Sequence, residues 1–321
     1  MLSALETLFV PRSLLLAAQE AAAQKPPRHD RLQDAINSSA SLTIHLFRVG
    51  MSAPTAPTSV GTDVMGLSSR LGYPWLLETL QGLRQHSTDG CFRSVARVRH
   101  DVSVAAIAAA LAGDLCPRRV ESARLAGLLH DIGEHLLIRL IGLEGDRESS
   151  DDSPEADRRL RADHASVGAW ACRQVGFSPD IVRAVESHHR LDPPIGSLER
   201  CVWLAEAITH ADDSEEGYRR AIAAAEAVGV SRERVEILAA ISSGSCSVAS
   251  ALSMNRVDNP LAPRQRQIMR LLAAGVAPPE IAVRLRIARS TVHNTLSQIY
   301  RKLGVRDSVQ AVLLCERQGW L

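Results

Sequence analysis

Apolar residues recur at helical spacing along most of this chain and seldom alternate as a strand would require. Between Ser290 and Leu303, Val292, Leu296, Ile299 and Leu303 follow one another at steps of four, three and four, which marks one face of an α-helix. The opposite face carries Ser290, His293, Asn294, Ser297 and Arg301, donors and acceptors suited to base edges or phosphates. Two shorter segments lead into it. Arg264 to Ala273 places Ile268, Leu271 and Leu272 on one face and is followed by Gly275, a common terminator. Pro278-Pro279 opens the next helix, where proline is tolerated, with Ile281, Ala282 and Leu285 inward. The short turn from Leu285 to Ser290 completes a predicted helix-turn-helix.

Upstream, the same periodicity predicts helices near 3–24, 30–50, 60–87, 92–113, 119–140, 154–176, 178–189, 197–211, 214–228 and 231–241. No segment repeats at a fixed period, so a solenoid is not expected. A stretch poor in charge and rich in serine follows Ile241 and reads as a linker. The expected division is a helical signalling domain over 1–241, a linker over 242–259 and a DNA-binding domain over 260–321. Composition supports an all-α fold: 45% of residues are hydrophobic but only 3% aromatic, so Ala, Leu, Val and Ile must fill the core.

Charge sharpens the division. From Asp258 onward ten Arg/Lys face four acids, a net +6 on a chain of net +1. A basic module on a mildly acidic body is the electrostatic pattern of nucleic-acid binding. The run Leu14-Leu-Leu-Ala-Ala18 lacks a cleavage site, and the longest apolar run, Val104 to Gly113, is too short for a bilayer. Six scattered cysteines form no C-x-x-C pair, so neither a disulfide framework nor a zinc knot is expected. A cytoplasmic protein without a membrane link follows from these readings.

The C-terminal segment resembles the LuxR-type (GerE-like) DNA-binding domain, a small four-helix unit. The resemblance lies in Leu261-Ala-Pro-Arg264, Glu280-Ile-Ala282, Thr291-Val292 and Tyr300-Arg-Lys-Leu-Gly-Val305. It implies double-stranded DNA as partner and a homodimer paired through a last helix, Val305 to Gly319. Within the recognition helix, His293, Asn294 and Ser297 are expected on bases, with Arg289, Ser290, Thr291, Arg301 and Lys302 on phosphates. The chain departs from the family where N-caps are usually Ser or Thr, placing alanine at 262, 277 and 288. Each lost cap costs about 0.5–2 kcal/mol, so the domain is expected to be marginal by itself and to lean on the body or on a second copy.

The histidines carry the chemistry of the body. His100, His130-Asp131, His164 and His188-His189 fall on separate predicted helices, as a metal site in a bundle core requires. One of the adjacent pair His188-His189 is expected to point away, and His29, His45, His86, His135 and His210 read as ordinary surface or core residues. The order His…His-Asp…His…His-His resembles the HD superfamily of metal-dependent phosphohydrolases. Ala126-Gly-Leu-Leu-His-Asp-Ile-Gly133 and His164-Ala-Ser-Val-Gly-Ala169 resemble its HDOD subfamily more narrowly, whose modules are generally regulatory. The resemblance implies a divalent iron, manganese or zinc ion, and it aligns Glu206 with the superfamily's late aspartate ligand. Two departures weigh against hydrolysis of cyclic dinucleotides: Glu134 stands where a lysine is usual, and no Gly-Tyr-Pro follows His189.

These readings favour a transcription regulator in which an HDOD-like helical bundle receives a nucleotide second messenger or a protein signal. A metal-dependent phosphohydrolase acting on a nucleotide or cyclic dinucleotide is the alternative. A protein-interaction hub that has lost DNA affinity is the third.

Overall fold

The structure is a computed structural model of the 321-residue chain, describing residues 5, 8, 10–25, 27–53, 64–83, 92–141, 154–211, 214–242, 260–317 and 320–321. Among these residues every regular element is a helix. The N-terminal cover is built from α1 (Arg12–Ala23), α2 (His29–Asn37), α3 (Ala40–Met51), α4 (Val64–Leu71) and α5 (Tyr73–Gly82). The central bundle follows: α6 (Phe92–Leu115), α7 (Val120–Leu129), α8 (Ile132–Ile141), α9 (Pro154–Val175), α10 (Pro179–Ser187) and α11 (Ser197–Thr209). Helices α12 (Glu215–Val228) and α13 (Arg232–Ser242) close it. The C-terminal domain comprises α14 (Pro263–Ala273), α15 (Pro278–Arg284), α16 (Arg289–Leu303) and α17 (Ser308–Arg317).

Three of the expected long helices are each two. The 30–50 stretch divides at Ser39, whose side chain accepts from the Leu42 N–H and caps α3. The 60–87 stretch divides at Gly72. The 119–140 stretch divides at His130-Asp131, where the Asp131 carbonyl accepts from the Glu134 N–H and starts a new helix. Apolar periodicity continues through all three breaks, so it could not reveal them. The expected linker lies, apart from Ser242, outside the described residues.

The body has one continuous apolar core running from Leu15 and Phe47 through Ile107 and Leu129 to Leu204 and Leu238. The C-terminal domain has its own, from Ile268, Leu272 and Ile281 to Val292, Leu296, Ile299 and Val312. Leu14 of α1 and Val98 of α6 belong to this second core. Around that seam Arg99 donates to the Ala273 carbonyl at 3.3 Å and Gln310 donates to the Ser13 carbonyl at 3.0 Å. The DNA-binding domain thus rests against the body along α6 and α1.

Candidate metal centre and nucleic-acid face

Three bundle helices and two turns between helices bring the centre together. His100 lies on α6, His130-Asp131 between α7 and α8, His164 on α9, His188-His189 after α10, and Glu206 on α11. Adjacent residues on one continuous helix point about 100° apart, whereas the break after Leu129 lets His130 and Asp131 face one site. Close backbone contact does the rest. A Cβ on Gly133 would stand 1.9 Å from the His164 carbonyl oxygen and 2.5 Å from the Gly168 nitrogen, so only glycine lets α8 and α9 approach closely enough to set His164 beside Asp131.

Asp131 divides its two oxygens between two groups of imidazoles. Oδ1 lies 3.2 Å from His164 Nε2 and 3.3 Å from His188 Nε2. Oδ2 lies 3.3 Å from His130 Nε2 and 3.7 Å from His100 Nε2. Glu206 reaches the second group: Oε2 stands 3.1 Å from His100 Nε2 and 3.3 Å from His130 Nε2. The extra methylene of glutamate, where the superfamily has aspartate, is absorbed within these distances. The turn after α10 brings both His188 and His189 within reach of Asp131 and His164. The expectation that one of that pair points away is therefore corrected: neighbours in a turn need not diverge as they do on a helix.

Several features fit this cluster to a divalent ion. His130 Nδ1 lies 2.7 Å from the Gly127 carbonyl and His188 Nδ1 lies 2.6 Å from the Val185 carbonyl. A carbonyl can only accept, so each Nδ1 carries the proton and a neutral ring presents its Nε2 lone pair to the centre, the tautomer of a ligating histidine. Nε2 of His130 faces Nε2 of His100, and Nε2 of His164 faces that of His188, both at 3.1 Å. Two ligands bound to one ion at about 2.1 Å are held roughly 3.0–3.4 Å apart by tetrahedral or octahedral angles. Asp131 Oδ1 and Glu206 Oε2 are buried and accept no well-aligned hydrogen bond, which is costly unless something else satisfies them.

The electrostatics agree. Burial opposes charge on His130, but the adjacent Asp131 and then Glu206 hold its pKa well above the usual imidazole value. Burial likewise opposes ionisation of Asp131 and Glu206, yet His130 beside the first and His100 beside the second hold both well below the carboxylate range. Burial, then His188, pushes His189 down to about 4, leaving a neutral ring. Without an ion the protonated His130 ring faces the two carboxylates; a cation would take over that role and leave the ring neutral.

Two pairings escaped the sequence. Glu134, standing where a lysine is usual, is in an ion pair with Arg97 at 3.2 Å, so its charge is already met. His135 bridges Asp101 (Nε2 to Oδ2, 3.1 Å) and Ser41 (Nδ1 to Oγ, 3.3 Å), tying α8 to α6 and α3 beside the centre. The one available signal was position: Asp101 follows His100, and His135 lies one helical turn after Asp131.

In the C-terminal domain Val292, Leu296 and Ile299 of α16 are buried while all eight candidate DNA-contacting residues are exposed. Ala262, Ala277 and Ala288 are the N-caps of α14, α15 and α16, with no side-chain cap on any. The Ala262 N–H instead donates to Gln265 Oε1 at 3.0 Å. Arg264, which the family pattern highlighted, donates to the Leu285 carbonyl at 2.9 Å and so closes the end of α15. The last helix begins three residues later than expected, after Gly304 adopts the left-handed conformation, and Val309 and Val312 point inward.

Comparison with known proteins finds two families along the chain. The chain carries an HD domain, matched over residues 97–211, and a domain of bacterial regulatory proteins of the luxR family, matched over 259–315. The probable HTH-type transcriptional regulator GfsR of Streptomyces halstedii is 55% identical over 53 residues, covering 16% of this chain and 22% of that protein. Ribonuclease Y of Thermotoga maritima is 28% identical over 204 residues, covering 62% of this chain and 34% of that protein. The chain therefore spans between about a fifth and a third of the length of these relatives. The solved MmoQ response regulator of Methylococcus capsulatus shares the fold, with a TM-score of 0.58, 16% identity, and coverage of 72% of this chain and 97% of that one. Among the described residues no helix is long and apolar enough to cross a membrane.

Proposed function

We propose that this chain is a transcription regulator whose LuxR-type domain binds double-stranded DNA through α16 and whose HD-type body conveys a signal to it. The observation that carries the reading is the two-sided α16, with its apolar residues seated in the domain core and its polar face open. On this reading His293, Asn294 and Ser297 meet base edges, while Arg289, Ser290, Thr291, Arg301 and Lys302 meet phosphates. The body reaches this domain along α6, where His100 of the centre follows directly on Arg99 and Val98 of the seam. A signal that rearranges the centre has a short path to the DNA-binding unit.

The centre would hold a divalent iron, manganese or zinc ion through His100, His130, Asp131, His164, His188, His189 and Glu206. Such an ion supplies Lewis acidity toward a bound water or phosphate oxygen. A nucleotide second messenger or a protein partner is the proposed signal, the cytoplasm the proposed compartment and a homodimer the proposed DNA-bound state. Val309, Ala311, Val312 and Cys315 of α17 are engaged within the chain, and Gln310 of the same helix bonds to Ser13 of the body, so pairing through α17 would require that contact to open.

Gel shifts on genomic fragments at fixed salt test the reading with Asn294→Ala and Arg301→Ala. Loss of the base contact should cost about 1–3 kcal/mol at one position, and loss of the phosphate contact should reduce the salt slope by about one. Wild-type affinity in the double variant would remove the DNA-binding role. Phosphodiester hydrolysis by the wild type, abolished in Asp131→Ala, would instead put the phosphohydrolase reading first; the metal-type cluster is the observation in its favour.

A further inference from the structure

His210 was read from sequence as an ordinary residue, and no part of the expected ligand set includes it. In the fold it caps the C-terminus of α11, one turn after Glu206, with its N–H donating to the Glu206 carbonyl. Residues four apart share a helix face, and the His210 ring lies alongside the carboxylate: Nε2 is 3.2 Å from Glu206 Oε1. Its ring centroid is 5.2 Å from that of His100. One potential ligand atom each from His100, Glu206 and His210 lies within 4.8 Å of the others.

The backbone holds His210 in this place. A Cβ on Gly217, in the first turn of α12, would stand 2.4 Å from the His210 carbonyl oxygen. Glycine at 217 thus lets α12 close onto the end of α11. The Glu206 carboxylate is the hinge of the arrangement, with Oε1 toward His210 and the buried Oε2 toward His100 and His130. Oε2 accepts no well-aligned hydrogen bond, so hydrogen bonding by itself leaves this oxygen unsatisfied.

The potential ligand atoms form a deep and an outer compartment, joined by a third group of His100, His130 and Asp131 that shares Asp131 with the first and His100 with the second. The deep one comprises Asp131, His164, His188 and His189, and the outer one His100, Glu206 and His210. Their imidazoles differ in exposure: the His164 and His188 side chains are 5% and 0% exposed, with His189 at the exposed rim, whereas those of His100 and His210 are 19% and 54% exposed on either side of the buried Glu206. We infer that His210 is a ligand of the outer compartment, where with His100 and Glu206 it binds a divalent first-row transition ion and leaves coordination positions open to solvent. Two imidazoles and one carboxylate suit such ions. The inference rests on the metal reading of the centre and adds His210 to it.

Cobalt(II) added to the full-length, metal-stripped protein tests it, with its visible absorption reporting each binding event. The wild type should take up two ions. His210→Ala should keep the first and weaken the second at least about tenfold, with circular dichroism and metal-free melting unchanged because the side chain is more than half exposed. His164→Ala should lose the deep event, which marks that compartment independently. If His210→Ala takes up cobalt with wild-type affinity and spectrum while His164→Ala does not, His210 is only a hydrogen-bond partner of Glu206 and the centre stands. If the wild type takes up no cobalt, the inference and the metal reading both fall.

Discussion

The two halves of this molecule place their polar side chains in opposite settings. The body buries His130, Asp131, His164, His188 and Glu206 among packed helices. The C-terminal domain buries only its apolar face and leaves the polar residues of α16 in water. A buried polar group is costly unless its neighbours satisfy it, so the body's cluster must act as a unit. Residues on an open face contribute separately, and a change there costs the fold little. The same polar residue types thus carry different consequences in the two settings.

The largest expected effect on this contrast comes from Gly133→Ala. The added methyl has no room against the His164 backbone, and overpacking of this kind costs roughly 1–3 kcal/mol or more. Chemical denaturation should show the body destabilised by about 3 kcal/mol while α16 variants such as Asn294→Ala stay within about 0.5 kcal/mol of wild type. Equal stability of Gly133→Ala and wild type would contradict the close α8–α9 contact.

Acid should act on the body next. Burial, then the nearby Arg48, lowers His45 on α3 to about 4 from an ordinary value of 6.5. The unfolded chain therefore takes up this proton first. The contribution is complete above about pH 6.5 and is lost as pH falls toward 4, by at most about 3 kcal/mol. His45→Phe should flatten the stability of the body over that window, as followed by denaturant melts at several pH values. An unchanged pH profile in His45→Phe would show that other groups set the acid response.

The smallest effect concerns the bare helix starts. Ala288→Ser should stabilise the C-terminal domain by about 1 kcal/mol by capping α16. A 260–321 fragment, deprived of the Leu14 and Val98 contacts, should melt below the same domain in the full chain. A cooperative transition of the fragment well above ~65 °C would show that it needs no support from the body.

Legibility in the sequence followed the same divide. Period and turn chemistry outlined the C-terminal helices closely because each lies within one short stretch and its apolar face packs inside the same small unit. In the body, the histidines and carboxylates stood out by residue type and order. What could not be read was how they meet. The break at His130-Asp131, the convergence of both His188 and His189, the Arg97–Glu134 pair and the His135 bridge all depend on how separate helices cross. His210 shows the limit plainly: its place one turn after Glu206 follows from helical spacing, but that Glu206 in turn faces His100 and His130 depends on how α11 crosses the other helices.

The chain by itself determined an all-helical protein, its basic C-terminal module and the side chains available for metal and DNA, since these follow from local period, charge and residue type. Tertiary structure alone decided which imidazoles share a carboxylate and where the DNA-binding domain rests on α6. Those contacts join residues tens to hundreds of positions apart, and no local preference encodes such a meeting until the core has closed around it.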